Sequence, residues 1–171
     1  MAIKEILKLG NPGLWKVCAT VKNSNSNETR QIIQDLKETL ADFKKKNGFG
    51  RAIAAPQIGE LTRIIYIDFP KENISGAMIN PKITWQSKER IQLWDDCFSF
   101  PDLLVKVERA REIKVEYQAA DGEIYTVSAK GDLSELLQHE IDHLNGILAV
   151  NRAIDSKSFV FRSEWEKFWK N

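Results

Sequence analysis

The sequence predicts an α+β fold: mostly antiparallel sheets packed around a helix that carries His139 and His143, with one further helix in the N-terminal half and one at the C-terminus. Three features lead there. Apolar residues recur at helical spacing early in the chain and again around residues 132–145, and between these stretches lie six short β-rich runs separated by turn residues. Strands that follow one another without intervening helices form hairpins and antiparallel sheet, unlike the alternating pattern of a parallel sheet. The 171 residues suit a single domain, 1–171, because one core commonly organises about 100 to 200 residues.

The elements follow in order. A short apolar N-terminal segment leads into a polar loop, Asn23-Ser24-Asn25-Ser26-Asn27-Glu28, in which Asn27 is the expected helix cap. Ile32, Ile33, Leu36, Leu40 and Phe43 then recur at helical spacing until Asn47-Gly48, which predicts an amphipathic helix over 28–46. The β-rich runs are 61–69, 78–85, 91–94, 105–109, 113–119 and 124–129, and Asp121-Gly122 reads as a hairpin turn. A second helix is expected from Asp132, acting as cap with Glu135 three residues on, to Asn145, with Gly146 as the stop. The tail from Phe159 places Phe161, Trp165, Phe168 and Trp169 at helical spacing, which predicts a third helix whose aromatic face packs on the domain.

Composition excludes several classes of function. The chain is 43% hydrophobic and 29% charged, too apolar for a disordered segment. No run approaches the roughly 18 apolar residues of a membrane span. The 25 Lys and Arg against 24 Asp and Glu leave a formal charge of +1, so no overall field draws the chain to nucleic acid or anionic lipid, and no nucleic-acid motif is present. Two cysteines, Cys18 and Cys97, cannot supply the disulfide framework of a small secreted protein. The opening residues alternate charged and apolar side chains, unlike a signal peptide, so a reducing, cytoplasmic setting is expected. Cys18 reads as a buried thiol of the core.

The sharpest signal is His139-Glu140-Ile141-Asp142-His143. Residues four apart on a helix share a face, so both imidazoles can hold one metal while Glu140 handles the proton of a water. With only two histidines in the chain, this spacing arises by chance in about 1% of placements, and the glutamate requirement lowers that further. Two histidines need a third protein ligand, and no third histidine exists. Glu164 or Glu166 downstream is one choice. Cys97, in Asp95-Asp96-Cys97-Phe98-Ser99, is the other, and would leave a coordination position open for water.

Three stretches in order, Gly50-Arg51-Ala52-Ile53-Ala54-Ala55-Pro56-Gln57, Asp95-Asp96-Cys97-Phe98-Ser99 and Gln138-His139-Glu140-Ile141-Asp142-His143-Leu144-Asn145-Gly146, resemble the motifs of the peptide deformylases along nearly the whole chain. The resemblance implies removal of the formyl group from N-formylmethionyl nascent peptides. It assigns Cys97, His139 and His143 as ligands of one divalent metal, Fe(II) by preference with Zn(II), Ni(II) or Co(II) as substitutes. Glu140 becomes the general base and acid, and Gln57 with the Phe98 backbone N–H become donors to the developing oxyanion. Gly50, Arg51, Ala52 and Ile53 become the segment against which the peptide lies by strand addition. Arg109 matches a family arginine that pairs with the acid of the second motif, here Asp95. The C-terminal helix becomes a candidate for transient ribosome contact.

Four residues depart from the family pattern: Arg51 replaces an apolar residue, Ala52 a glycine, Asp95 a glutamate and Asp96 a glycine. The Ala52 methyl narrows the approach of a ligand backbone. Asp96 adds charge beside a metal ligand, and Arg51 is its expected partner across the cleft. These departures keep open a second reading, a catalytically weak relative that binds peptide N-termini or the ribosome. The choice of third ligand keeps open another, an endopeptidase with Glu164 as third ligand.

Overall fold

The computed structural model describes residues 3–170; Met1, Ala2 and Asn171, which the expected domain span includes, lie outside the described residues. Helix α1, Asn27–Asn47, forms where the apolar period predicts it. Its cap is Ser26, not Asn27: Ser26 has extended backbone, and its Oγ accepts the Thr29 N–H at 3.1 Å. At the other end Gly48 closes the helix at φ 76°, a left-handed conformation that glycine adopts without a steric penalty. Ile32, Leu36, Leu40 and Phe43 bury in a cluster with Ile53, Ile58, Ile64, Ile79 and Phe98.

The six expected β runs are all strands, with ends shifted by up to four residues. They are β2 (Ile64–Phe69), β3 (Ile74–Gln86), β4 (Arg90–Asp96), β5 (Leu103–Ala110), β6 (Glu112–Gln118) and β7 (Ile124–Lys130). A three-residue strand β1 (Ala52–Ala54) precedes them and β8 (Phe159–Phe161) follows. Every pairing is antiparallel, in a five-stranded sheet of order β1-β2-β3-β6-β7 and a three-stranded sheet β4-β5-β8. Strands β1 and β4 are therefore edges. Asp121-Gly122 makes the expected hairpin turn between β6 and β7, with Gly122 at φ 91° and its N–H on the Ala119 carbonyl.

Helix α2, Asp132–Leu144, carries His139 and His143 and packs against β1, β5 and β7. Its cap is Gly131 at φ 55°, and Asp132 instead pairs with Lys71 at 2.7 Å. Glu135 likewise forms no capping box. The tail also departs from expectation: Phe159 and Phe161 lie on β8, and only Arg162–Phe168 forms helix α3. The supposed aromatic face is mostly uncovered, with Phe161 66% and Phe168 73% exposed and only Trp165 turned inward. Phe159, Val160 and Phe161 form ladder pairs with β5, so the period here is two and their rings cannot join a helical stripe.

Gly146 ends α2 in a conformation that only glycine fits. Its φ is 70°, and a Cβ there would lie 2.5 Å from the Trp15 carbonyl oxygen, which belongs to backbone. Replacing Gly146 by alanine is expected to destabilise the fold by about 2 to 4 kcal/mol, from left-handed strain and a displaced main chain together. Urea unfolding measures it; a loss under about 1 kcal/mol would show that the Trp15 segment yields freely.

Candidate metal centre

Helix α2 is buried from Leu133 to Leu144. Leu133, Leu136, Leu137, Ile141 and Leu144 bury in a core cluster with Ile65, Ile67 and Val115, which leaves Gln138, His139, Glu140 and His143 to find polar partners. Gln138 sets the helix against the end of β5: its Oε1 accepts the Ala110 N–H at 3.0 Å and its Nε2 donates to the Ala110 carbonyl at 2.9 Å. That fixed rotation turns His139 and His143 toward the end of β4, where Cys97 is the first residue past the strand.

The two Nε2 atoms lie 3.1 Å apart, and Cys97 Sγ is 3.3 Å from His143 Nε2. All three ligand atoms fall within 4.8 Å of one another in side chains that are buried. Bonds of about 2.0 to 2.3 Å from nitrogen and sulfur to a tetrahedral ion separate neighbouring donors by roughly 3.3 to 3.6 Å, close to the spacing found. Glu164 pairs with Lys167, and neither it nor Glu166 joins the cluster among the described residues. Three converging lone-pair donors enclosed by protein fit a divalent cation, and Cys97 is the third ligand the geometry offers.

Charges behind the cluster are ordered. Asp95 Oδ1 lies 2.9 Å from His139 Nδ1, and Asp95 Oδ2 accepts Arg109 Nη2 at 2.9 Å. Arg109 also donates to Asp142, which Arg152 Nη2 reaches at 2.8 Å. Burial would raise the Asp95 carboxyl, but His139 and Arg109 outweigh it and hold the group down at about 2. Burial lowers His139, yet Asp95 and Cys97 more than reverse this and raise it well above the ordinary histidine value, which marks a place where positive charge is favoured. Burial pushes the Glu140 carboxyl up to about 7. The Asp95–Arg109 pair thus forms as the second motif implied.

A cleft of about 520 Å³ opens over these groups, lined by Gly50, Arg51 and Ala52 on one lip, by Asp95, Asp96, Cys97 and Phe98 on the other, and by His139 and Glu140 at its base. Gln57 lies within it: Oε1 accepts the Ala54 N–H at 2.9 Å, which aims Nε2 at Cys97 Sγ, 3.5 Å away. Gly50 sits at φ 137° against the Phe98 ring, where a Cβ would come within 2.9 Å. Ile53 is fully buried in the cluster formed with α1 and does not line the cleft.

The expected Arg51–Asp96 pair does not form. Arg51 turns toward α2, where Nη2 lies 2.5 Å from Glu135 Oε1 and the guanidinium sits 5.3 Å from the Phe69 ring centre. Glu135 is 7% exposed, so it requires a cation at hand more than the half-exposed Asp96 does. Asp96 is neutralised by Arg162 of α3, 2.6 Å away. Arg162 and Trp165 line the cleft as well, and no local pattern marks them in the sequence.

Comparison with known proteins identifies the family. The family model for polypeptide deformylase matches residues 3–159. Peptide deformylase 2 of Clostridium perfringens is 38% identical over 153 residues, covering 90% of this chain and 94% of the relative. The crystal structure of peptide deformylase from Thermotoga maritima superposes with a TM-score of 0.82 at 32% identity, over 91% of this chain and 100% of that one. That of a peptide deformylase from Synechococcus elongatus in complex with actinonin gives 0.80 at 30% identity, over 92% and 86%. With a family model over most of its length, a 38% identical relative and a shared fold, the chain belongs to the peptide deformylase family.

Proposed function

We propose that this chain, acting as one domain in the cytoplasm, removes the formyl group from N-formylmethionyl peptides of newly made proteins. The observation that carries this reading is the buried Cys97–His139–His143 cluster at the base of a cleft between two free strand edges, with Glu140 and Gln57 beside it. Cys97, His139 and His143 would hold the metal, Fe(II) by preference, and when bound it would supply Lewis acidity that lowers the pKa of a water. Glu140 takes a proton from the attacking water as its oxygen adds to the formyl carbon. Gln57 Nε2 and the Phe98 N–H donate to the carbonyl oxygen as it gains charge. Glu140 then returns the proton to the departing amine, so formate and a free N-terminus result. The peptide lies along the edge of β1, where main-chain pairing positions it without reading much sequence. The outward side of α3, with Phe168 exposed beside Lys167, is the surface for a transient ribosome contact.

The motive for reading the chain as a catalytically weak relative weakens once the unusual charges are seen in place. Arg51 and Asp96 each have an opposite charge in contact, so neither leaves an uncompensated charge at the cleft. Incubating Fe(II)- or Ni(II)-loaded protein with formyl-Met-Ala-Ser and following free amine tests the reading, and absence of turnover with both metals would overturn it. Cys97→Ala is expected to weaken metal binding at least about a hundredfold, beyond the 10- to 100-fold typical of a supporting residue. Metal retained at wild-type affinity in that variant would return the third-ligand role to a glutamate.

A further inference from the structure

Past β8 the chain turns at Arg162, and this one side chain reaches both lips of the cleft. Its Nη2 donates to Asp96 Oδ2 at 2.6 Å and its Nε to the Pro101 carbonyl at 2.8 Å. The same guanidinium lies 4.9 Å from the ring centre of Phe49, the residue before Gly50. Stacking and directed hydrogen bonds together hold a planar guanidinium in one orientation, which a lysine could not reproduce. Behind it, Trp165 and Glu166 of α3 and Lys170 just past its end line the cleft. Trp165 Nε1 is enclosed by protein and has no hydrogen-bond partner among the described residues, a costly arrangement for a donor. Arg162, Trp165, Glu166 and Lys170 lie beyond residue 159, where the match to the family model ends.

The path of a bound peptide brings it to this segment. Its formyl end belongs at Gln57, which is tied to Ala54 at the far end of β1. From there a strand added antiparallel to β1 runs back toward Gly50 and Phe49. At about 3.3 Å per residue, it meets Arg162 and Trp165 by its second or third residue.

We propose that the segment from Arg162 to Lys170 is a wall of the substrate cleft, latched by the Arg162–Asp96 pair, that contacts the second and third residues of the formylated peptide. The inference rests on the deformylase reading and deepens it: it names the part of this chain that makes a longer peptide a better substrate than formylmethionine alone. Trp165 packs its ring against the peptide, while Glu166 and Lys170 sit at the outer rim. Arg162 is a positioning residue, because it acts by holding α3 in place.

The test compares kcat/KM for formyl-Met-amide and formyl-Met-Ala-Ser in the whole chain and in Arg162→Ala, Asp96→Ala, their double variant and Trp165→Ala. The preference for the longer peptide is expected to fall about tenfold in each single variant, the scale of one well-packed contact. The double variant should be no worse than either single, since both remove one latch. Binding of the unformylated product Met-Ala-Ser, measured by calorimetry, should weaken in parallel and does not depend on turnover. Trp165→Phe serves if the alanine variant does not fold. Equal losses on both substrates, or unchanged binding of Met-Ala-Ser, would overturn the wall. Failure of the unmodified protein to act on either substrate would instead overturn the deformylase reading, and the calorimetry would still decide the wall.

Discussion

Glu140→Ala retains close to one metal per chain and loses at least about a hundredfold in turnover, the usual scale for a positioned acid and base. The residue is 4% exposed and its Oε2 has no hydrogen-bond partner among the described residues, so no protein donor competes for the proton it is to carry. Burial pushes its carboxyl up to about 7, where one group can both accept a proton and give it back near neutral pH. Its removal leaves Cys97, His139 and His143 untouched. Metal analysis beside the formyl-peptide assay separates the two roles: loss of metal in the variant would make Glu140 structural.

Arg109→Leu is expected to lower the free energy of unfolding by about 3 to 5 kcal/mol, which is the cost of leaving buried charge without its partner. Arg109 is 3% exposed and lies between two carboxylates, Asp95 and Asp142, that are 4% and 7% exposed. For a chain of this size the melting temperature should fall by roughly 6 to 20 °C. Leucine replaces the volume but neither hydrogen bond, so both acids remain desolvated against it. A change under about 1 kcal/mol would mean that water or Arg152 takes over the missing charge.

Much of the site was legible because it is local. The His139 to His143 spacing and the Glu140 between them need only one turn of helix, and the helix announces itself by its apolar period. The pairing of Asp95 with Arg109 was legible only through the family resemblance, because in the β4–β5 ladder Asp95 faces Val105 and Arg109 faces Ile91, and the long arginine side chain spans the difference. Asp96 and Arg162 lie 66 residues apart, and no spacing rule connects a strand end to a helix that begins after another strand. Arg51 and Glu135 were misread for the same reason. The cap errors have a different origin: in 23–28 several polar residues could each cap α1, and at Gly131 the choice turned on a positive φ that composition does not reveal. Phe159 and Phe161 were assigned to a helix because Trp165, Phe168 and Trp169 extend the apparent stripe, although residues two apart also satisfy a strand.

Cys97 and Phe98, adjacent in sequence, belong to different hydrophobic clusters, and the helix bearing the histidines packs into a third. The candidate metal ligands therefore sit where three separately packed regions meet, with one peptide bond joining two of them. Amide exchange commonly reveals such regions as units that open independently. Here, none can open fully without pulling a ligand or its immediate neighbour out of register. On the proposed reading, an ion bound only when all are docked adds its binding free energy to every one of those openings at once. The reaction centre then also serves as the keystone of cooperativity, coupling regions that side-chain packing alone leaves divided.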